Sequence, residues 1–215
     1  MRLLKIIPIA LLAFAAFTKN VTGLKKNNSL FASPGNDTLK INCDSVYAQK
    51  GYFIELIRFE FDKDGFDEEK NSVFTLSKKV DGVKKEILRD TIFSRLQEIK
   101  FADYNNDKVD DILIQNIADV RSNLTWYLYF FNPKSSSVTK IKGFEEIKNP
   151  KYNSKYNLIE NYVLSGTNWT SLYTIKNFRV IDYGFVIYDK DDSKGINRYN
   201  SEYKKAIRKI MLRRK

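Results

Sequence analysis

Short apolar segments separated by turn-forming residues most restrict how this chain can fold. Asp81-Gly82 stands between two of them, and this pair accepts the positive φ angles of a tight β-hairpin at low cost. The stretch FNPKSSSV, residues 131–138, predicts a second turn. The segments are rich in aromatic and β-branched residues, which favour strands; they are residues 52–61, 72–80, 83–90, 110–117, 125–131 and 183–189. The pattern predicts a mainly β, antiparallel meander with a helix at its end.

The first 23 residues have the order of a secretory signal peptide. Arg2 and Lys5 precede the apolar run IIPIALLAFAAF, and small and polar residues follow. This run is too short to cross a bilayer, which takes about 20 residues. We therefore expect cleavage near residue 23 and export to the periplasm or the medium. The rest, residues 24–215, is expected to form a single domain.

The chain has one cysteine, so an internal disulfide is impossible. Leu39, Ile41 and Cys43 alternate with polar residues, as one face of a strand would. This spacing predicts a buried, structural thiol at Cys43.

The positive charge is concentrated at the C-terminus. The net charge is +11, and the last twelve residues, KKAIRKIMLRRK, hold seven cations and no anion. Apolar residues at three- and four-residue spacing predict a basic helix over about residues 197–215; they are Tyr203, Ala206, Ile207, Ile210 and Met211. Three interpretations stay open: a helix docked on its own domain, contact with an anionic membrane or cell-wall polymer, and contact with an acidic protein. Nucleic acid is not expected, because no base-reading motif is present.

One acidic stretch, FADYNNDKVDDILI at residues 101–114, has the oxygen spacing of a calcium loop. Counting from Asp103 as position 1, Asn105, Asp107 and Asp111 place side-chain oxygens at positions 3, 5 and 9, and Val109 offers its carbonyl at position 7. A hard divalent cation offsets the repulsion between carboxylates held this close together. The spacing therefore predicts a Ca²⁺ site in residues 103–111, which we call the acidic loop.

Two departures weaken the predicted calcium site. Lys108 replaces the usual glycine at position 6 and must take an unfavourable backbone conformation, and Ile114 replaces the bidentate Glu of an EF-hand. A weak affinity, about 10⁻⁴ to 10⁻³ M, is expected. The alternative is a polar turn without an ion. Two further acidic turns lack the full spacing and are predicted to be solvated; their residues are Asp62, Asp64 and Asp67, and Asp189, Asp191 and Asp192.

Catalysis is not expected of this chain. It has no histidine, the commonest general base and a common metal ligand. No spacing selects a pair of carboxylates for glycoside hydrolysis. We therefore expect a binding protein.

The order of these features resembles bacterial exported proteins related to a xanthomonad periplasmic lysozyme inhibitor. The resemblance runs over about residues 50–190, through the DG hairpin, QEIKFADYNNDKVDDILI, WYLYFFNPKSSSVTKI and NLIENYVLSGTNWTSLYTI. It implies a β-propeller-like fold with one calcium loop of the type found in FG-GAP repeats. It also implies a partner, a lysozyme-like hydrolase or effector that the protein inhibits.

The resemblance also implies a partner-binding loop. Some lysozyme inhibitors insert a Ser-Gly-x-x-Tyr loop into the enzyme's cleft, and here Ser165, Gly166 and Trp169 stand on those positions. Trp169 lacks the phenolic hydroxyl, which Tyr173 could supply. The alternative is an ordinary turn with a core tryptophan. The competing function is a non-catalytic module that binds or adheres to the cell envelope, with the basic tail as a second contact.

Overall fold

The computed structural model describes residues 38–59 and 70–214. The described residues belong to one compact unit. The predicted signal peptide and the acidic turn at residues 61–69 lie outside them. Within the described ranges, no helix is both long and apolar enough to cross a membrane.

The first sheet is an antiparallel meander of four strands in sequence order. These are β1 (Thr38–Asn42), β2 (Tyr52–Arg58), β3 (Ser72–Val80) and β4 (Val83–Ile92). Asp81 and Gly82 join β3 to β4 with φ angles of 50° and 82°. The predicted hairpin is confirmed, because both central residues of this turn are left-handed.

The second sheet repeats this meander. Its strands are β5 (Ile99–Ala102), β6 (Asp111–Ala118), β7 (Leu124–Asn132) and β8 (Ser137–Lys140). The predicted turn within residues 131–138 joins β7 to β8. Inward side chains of both sheets form the largest core cluster, which includes Tyr52, Phe74 and Tyr129. Cys43 is fully buried in this cluster, as predicted, although β1 ends one residue before it. Burial raises the pKa of its thiol to about 11, and the charge of Asp44 adds to the shift.

Two smaller sheets complete the β structure. The third contains β9 (Lys151–Asn153), β10 (Leu158–Glu160), β12 (Leu172–Lys176) and β13 (Arg179–Asp182), and the fourth pairs β11 (Asn168–Thr170) with β14 (Ile187–Asp189). The strand predicted over residues 183–189 is therefore too long. Gly184 has a φ of 72° and donates its N–H to Asp182 Oδ1 at 2.8 Å. This turn interrupts the extended backbone, so β14 begins only at Ile187.

The predicted C-terminal helix is present as α1 (Tyr199–Arg213). Ala206, Ile207 and Ile210 are buried and pack in a cluster with residues of the third and fourth sheets. Met211, predicted to share this side of the helix, is 38% exposed. The four sheets of the described residues form no closed barrel or propeller. The mainly β, antiparallel fold with a C-terminal helix is confirmed, and the meander describes it better than the propeller.

Candidate functional site

The acidic loop connects β5 to β6, and its ends are fixed by pairing between Ala102 and Asp111. Asn106 and Lys108 have φ angles of 64° and 70°. The backbone conformation expected at Lys108 is thus observed. It folds the loop tightly, as the glycine at this position of a calcium loop normally does.

Side-chain oxygens of the acidic loop hold its backbone in place. Asn105 Oδ1 accepts the Asp107 N–H at 2.9 Å, and Asp107 Oδ1 accepts the Val109 N–H at 2.8 Å. The Asp103 carboxylate accepts three backbone N–H groups at 2.5–3.1 Å, those of Asn105, Asn106 and Lys108. Four of the predicted calcium ligands therefore belong to one hydrogen-bonded turn; they are Asp103, Asn105, Asp107 and Val109.

Asp111 differs from the other acidic residues of the loop because it is fully buried. Its carboxylate accepts the N–H groups of Tyr104 at 2.9 Å and Phe131 at 3.3 Å. Burial raises its pKa to about 7; the charges of Asp107 and Asp103 add to this, and the two hydrogen bonds oppose it. Burial, followed by the Asp103 charge, also raises the pKa of Asp110.

The described residues supply these carboxylates with no cationic partner. Asp103, Asp107, Asp110 and Asp111 are absent from all ion pairs between described residues, although the chain carries a net charge of +11. The donor chemistry and the negative potential fit a hard cation. The geometry is less complete: the described ranges contain no group of three or more His, Cys, Asp or Glu side chains placed to hold a metal ion. The aspartates of the predicted ligand set share the loop without converging.

The second candidate is the tip loop, residues 164–168. Below it, Val163 and Trp169 exchange backbone hydrogen bonds of 2.8 and 3.3 Å. Within it, the Ser165 N–H donates to Asn168 Oδ1 at 3.0 Å. Gly166 and Thr167 are exposed at the end of the loop. The tip loop is thus a narrow projection closed by its own hydrogen bonds.

A buried asparagine anchors the tip loop to the second sheet. The Asn123 side chain accepts the Leu164 N–H at 2.8 Å and donates to the Leu164 carbonyl at 2.9 Å. It therefore bonds Leu164 as the backbone of a neighbouring strand would. Asn123 is only 1% exposed, so water does not compete for these bonds.

Further polar groups complete this anchor. Asn149 Nδ2 donates to Asn123 Oδ1 at 2.8 Å and to the Tyr162 carbonyl at 2.9 Å. Asp119 accepts hydrogen bonds from the Asn123 side chain and pairs with Lys148 at 2.9 Å. Lys148, then Asn123, holds the Asp119 pKa well below its usual range.

The structure brings three of the four predicted partner residues together. Ser165 and Gly166 lie in the tip loop, and Trp169, half-buried, follows on β11 opposite Tyr188. Tyr173 lies on β12 and packs against the core cluster around Phe144. Its hydroxyl accepts from Asn161 Nδ2 at 3.3 Å, and burial raises its pKa.

Sequence reasoning missed Tyr162, the phenol beside the tip loop. Its hydroxyl accepts from Asn168 Nδ2 at 3.1 Å and donates to Asp189 Oδ2 at 2.6 Å. Tyr162 precedes the Ser-Gly pair, whereas the inhibitor motif places its aromatic residue after that pair.

The acidic turn predicted at residues 188–195 contains Asp189, whose carboxylate accepts the hydrogen bond from Tyr162. Asp192 in the same turn accepts the N–H groups of Lys194 and Ile196.

Comparisons with known proteins give little information about this chain. No protein-family description matches it, and no curated protein matches it at a significant level. A solved structure described as that of a Xanthomonas type IV secretion system related protein is 11% identical, with a TM-score of 0.38. The match covers 61% of this chain and 75% of that one. This weak similarity is all that the comparisons support of the predicted relationship, and it transfers no function.

Proposed function

We propose that this chain is an exported, calcium-binding protein that inhibits a lysozyme-like peptidoglycan hydrolase by inserting its tip loop into the enzyme's active cleft. The observation that carries the proposal is the anchoring of Leu164 by the buried Asn123 side chain, behind a half-buried Ser165 and an exposed Gly166. A loop ordered before binding loses little entropy when it enters a cleft. Inhibition of this kind requires no catalytic group in the inhibitor.

In this proposal, Asp103, Asn105, Asp107, Val109 and Asp111 hold a Ca²⁺ ion. The ion would neutralise the loop carboxylates and tie β5 to β6. Its support is the tight backbone at Lys108 and the absence of cationic partners among the described residues. The chain's own side-chain oxygens already hold the loop backbone, so an ion would have little backbone left to order.

The test is lysis of peptidoglycan by a panel of lysozyme-like hydrolases, with the chain added in Ca²⁺ or in chelator. Inhibition should reach its limit at one chain per enzyme and weaken in chelator. Gly166→Arg should abolish it: a Cβ added at Gly166 meets no atom of the protein within 4 Å, so the new side chain would extend into the space that the enzyme needs. Ser193→Arg, in another exposed turn, is the matched control and should inhibit normally.

A second candidate function rests on the outward face of α1. Lys204, Lys205, Arg208 and Lys209 are exposed there, together with Leu212, which is 62% exposed. This surface suits a non-catalytic module that contacts an anionic envelope surface. Co-sedimentation with anionic but not zwitterionic vesicles, lost at high salt, would favour it. A panel without inhibition, combined with such binding, would replace the first proposal by the second.

A further inference from the structure

A cleft of 330 Å³ lies beside the tip loop, between α1 and the third sheet. Its walls include three tyrosines, Tyr162, Tyr199 and Tyr203. Tyr162 is 38% exposed, and the other two are half-buried. The volume of the cleft falls in the range of small-molecule sites, roughly 300–1,000 Å³.

The three rings form a corner. The rings of Tyr162 and Tyr199 are nearly perpendicular, with an interplanar angle of 83° and centroids 6.4 Å apart. Tyr199 and Tyr203 are nearly parallel, at 23° and 6.3 Å. The cleft thus has aromatic surfaces in two directions, which suits a ligand with apolar C–H groups on more than one side.

All three tyrosine hydroxyls are already bonded within the protein. The Tyr162 hydroxyl donates to Asp189, the Tyr199 hydroxyl bonds Thr170 at 2.7 Å, and the Tyr203 hydroxyl donates to Glu160. These bonds fix the orientation of the rings before any ligand arrives. Because the polar ends are occupied, the rings offer mainly their apolar faces to a ligand.

The charges lining the cleft favour a neutral ligand. Among the described residues that line it, Glu160 and Lys151 are the charged ones, and they have opposite signs. An anion would be repelled by the first and a cation by the second. Asn200, exposed on α1, adds an amide that donates and accepts. The cleft therefore combines apolar ring faces with a few polar groups and has no net charge.

We propose that this cleft binds a neutral saccharide. A pyranose ring has C–H faces that pack on aromatic rings and a rim of hydroxyls that bond to amide and carboxylate groups, which matches this lining. The proposal goes beyond inhibition and does not depend on it, because Gly166 at the end of the tip loop is absent from the cleft lining. It assigns a second binding surface to the same side of the molecule.

The experiment is a titration of the full ¹⁵N-labelled chain with chitotriose and, separately, with cellotriose, followed by NMR. The side-chain amide signals of Asn149, Asn161 and Asn200, which all line the cleft, should shift and saturate. Tyr162→Ala should weaken binding about 10-fold, whereas Tyr162→Phe should stay within about 3-fold, because the ring supplies the contact. Tyr188→Ala, which removes a tyrosine that is 50% exposed outside the cleft, should bind normally.

Each outcome decides the proposal. Saturable shifts with either trisaccharide support it, and a response to chitotriose alone would assign the acetamido group as part of the ligand. No saturable shift with either sugar overturns it, as does equal binding by Tyr162→Ala when the spectrum shows that this variant is folded. Gly166→Arg should keep sugar binding, which separates this result from the test of inhibition.

Discussion

The acidic loop and the tip loop both fix their backbones with side-chain hydrogen bonds, but they differ in what those side chains leave unsatisfied. Carboxylates in the acidic loop only accept hydrogen bonds, so they bond N–H groups and still repel one another. In the tip loop, the amides of Asn123, Asn149 and Asn168 donate and accept in turn. The first loop therefore keeps uncompensated negative charge among the described residues, whereas the polar groups of the second satisfy one another.

The largest expected effect is on the buried end of the acidic loop. Asp111→Ala should lower the free energy of unfolding by about 3 to 4 kcal/mol, because the buried N–H groups of Tyr104 and Phe131 lose their carboxyl acceptor. Urea denaturation measures this loss. Asp110→Ala is the matched control: Asp110 is exposed, and its loss should be about 0.5 kcal/mol or less. If both variants lost the same free energy of unfolding, the buried hydrogen bonds of Asp111 would not be the reason for its contribution to stability.

Next comes the anchor of the tip loop. Asn123→Ala should lower the free energy of unfolding by about 2 to 3 kcal/mol, because Leu164 loses both backbone partners. Hydrogen exchange at the Leu164 amide should accelerate in the same variant. Asn132→Ala removes an exposed asparagine at the other end of β7, whose side chain accepts only exposed N–H groups of the next turn; it should cost less stability and leave exchange at Leu164 unchanged. Unchanged exchange at Leu164 in Asn123→Ala would contradict the proposed rigidity.

Calcium should stabilise the protein through the acidic loop, whose carboxylates have no ion-pair partner among the described residues. For a dissociation constant near 10⁻³ M, 10 mM Ca²⁺ should stabilise the fold by about 1.4 kcal/mol, which raises Tm by about 3 to 5 °C. Asp107→Asn keeps the oxygen that accepts the Val109 N–H but loses one charge, so the shift should shrink. Asp191→Asn, in an exposed turn, should keep it. An equal shift in Mg²⁺, or in Asp107→Asn, would contradict the site.

A smaller effect is expected from backbone strain in the acidic loop. Lys108→Gly should raise the free energy of unfolding by about 0.5 to 1 kcal/mol, because glycine takes a φ of 70° without a Cβ clash. Asn106→Gly should gain less, since asparagine tolerates this conformation. Thermal melting of both variants tests the difference. A gain in Asn106→Gly equal to that in Lys108→Gly would contradict the strain at Lys108.

The smallest expected effect comes from pH, and it concerns the tip loop. The pKa of Asp119 is lowered by Lys148 and Asn123, so in the folded protein its bonds persist as pH falls through the ordinary carboxyl pKa and weaken only well below it. The side-chain amide signals of Asn123 should therefore stay constant down to about pH 4 and shift only at lower pH. Asp119→Asn should flatten this response. A response that persists in that variant would assign it to another carboxyl.

The sequence was most informative where one local rule decides the structure. Asp81-Gly82 predicted its hairpin because positive φ at two successive positions selects few residue pairs. The alternate spacing of Asp103, Asn105 and Asp107 likewise predicted a tight loop, because short oxygen-bearing side chains at these positions can bond to the nearby backbone. The strand at residues 183–189 was overextended because alternation does not show that Gly184 turns the chain.

Long-range contacts explain what the sequence could not predict. Asn123 stands in a turn, and nothing near it indicates a bond to Leu164, which is 41 residues away. The aromatic cleft forms only when α1 docks and brings Tyr199 and Tyr203 next to Tyr162. A short stretch of sequence therefore cannot predict it. Charge pairing is equally non-local: among the described residues the loop aspartates form no ion pair, although Lys108 lies in the same loop and the sequence as a whole is strongly basic.

The buried amide of Asn123 also bears on how the protein can be produced. Residues 123–125, Asn-Leu-Thr, form an acceptor for N-linked glycosylation, as do residues 168–170, Asn-Trp-Thr. In a eukaryotic secretory host, a glycan added to Asn123 before folding would occupy the nitrogen that bonds Leu164. A bulky sugar cannot enter a position that is 1% exposed, so the modified chain could not close its tip loop. Bacterial expression avoids this modification, and glycosylation during eukaryotic secretion would create a misfolded fraction.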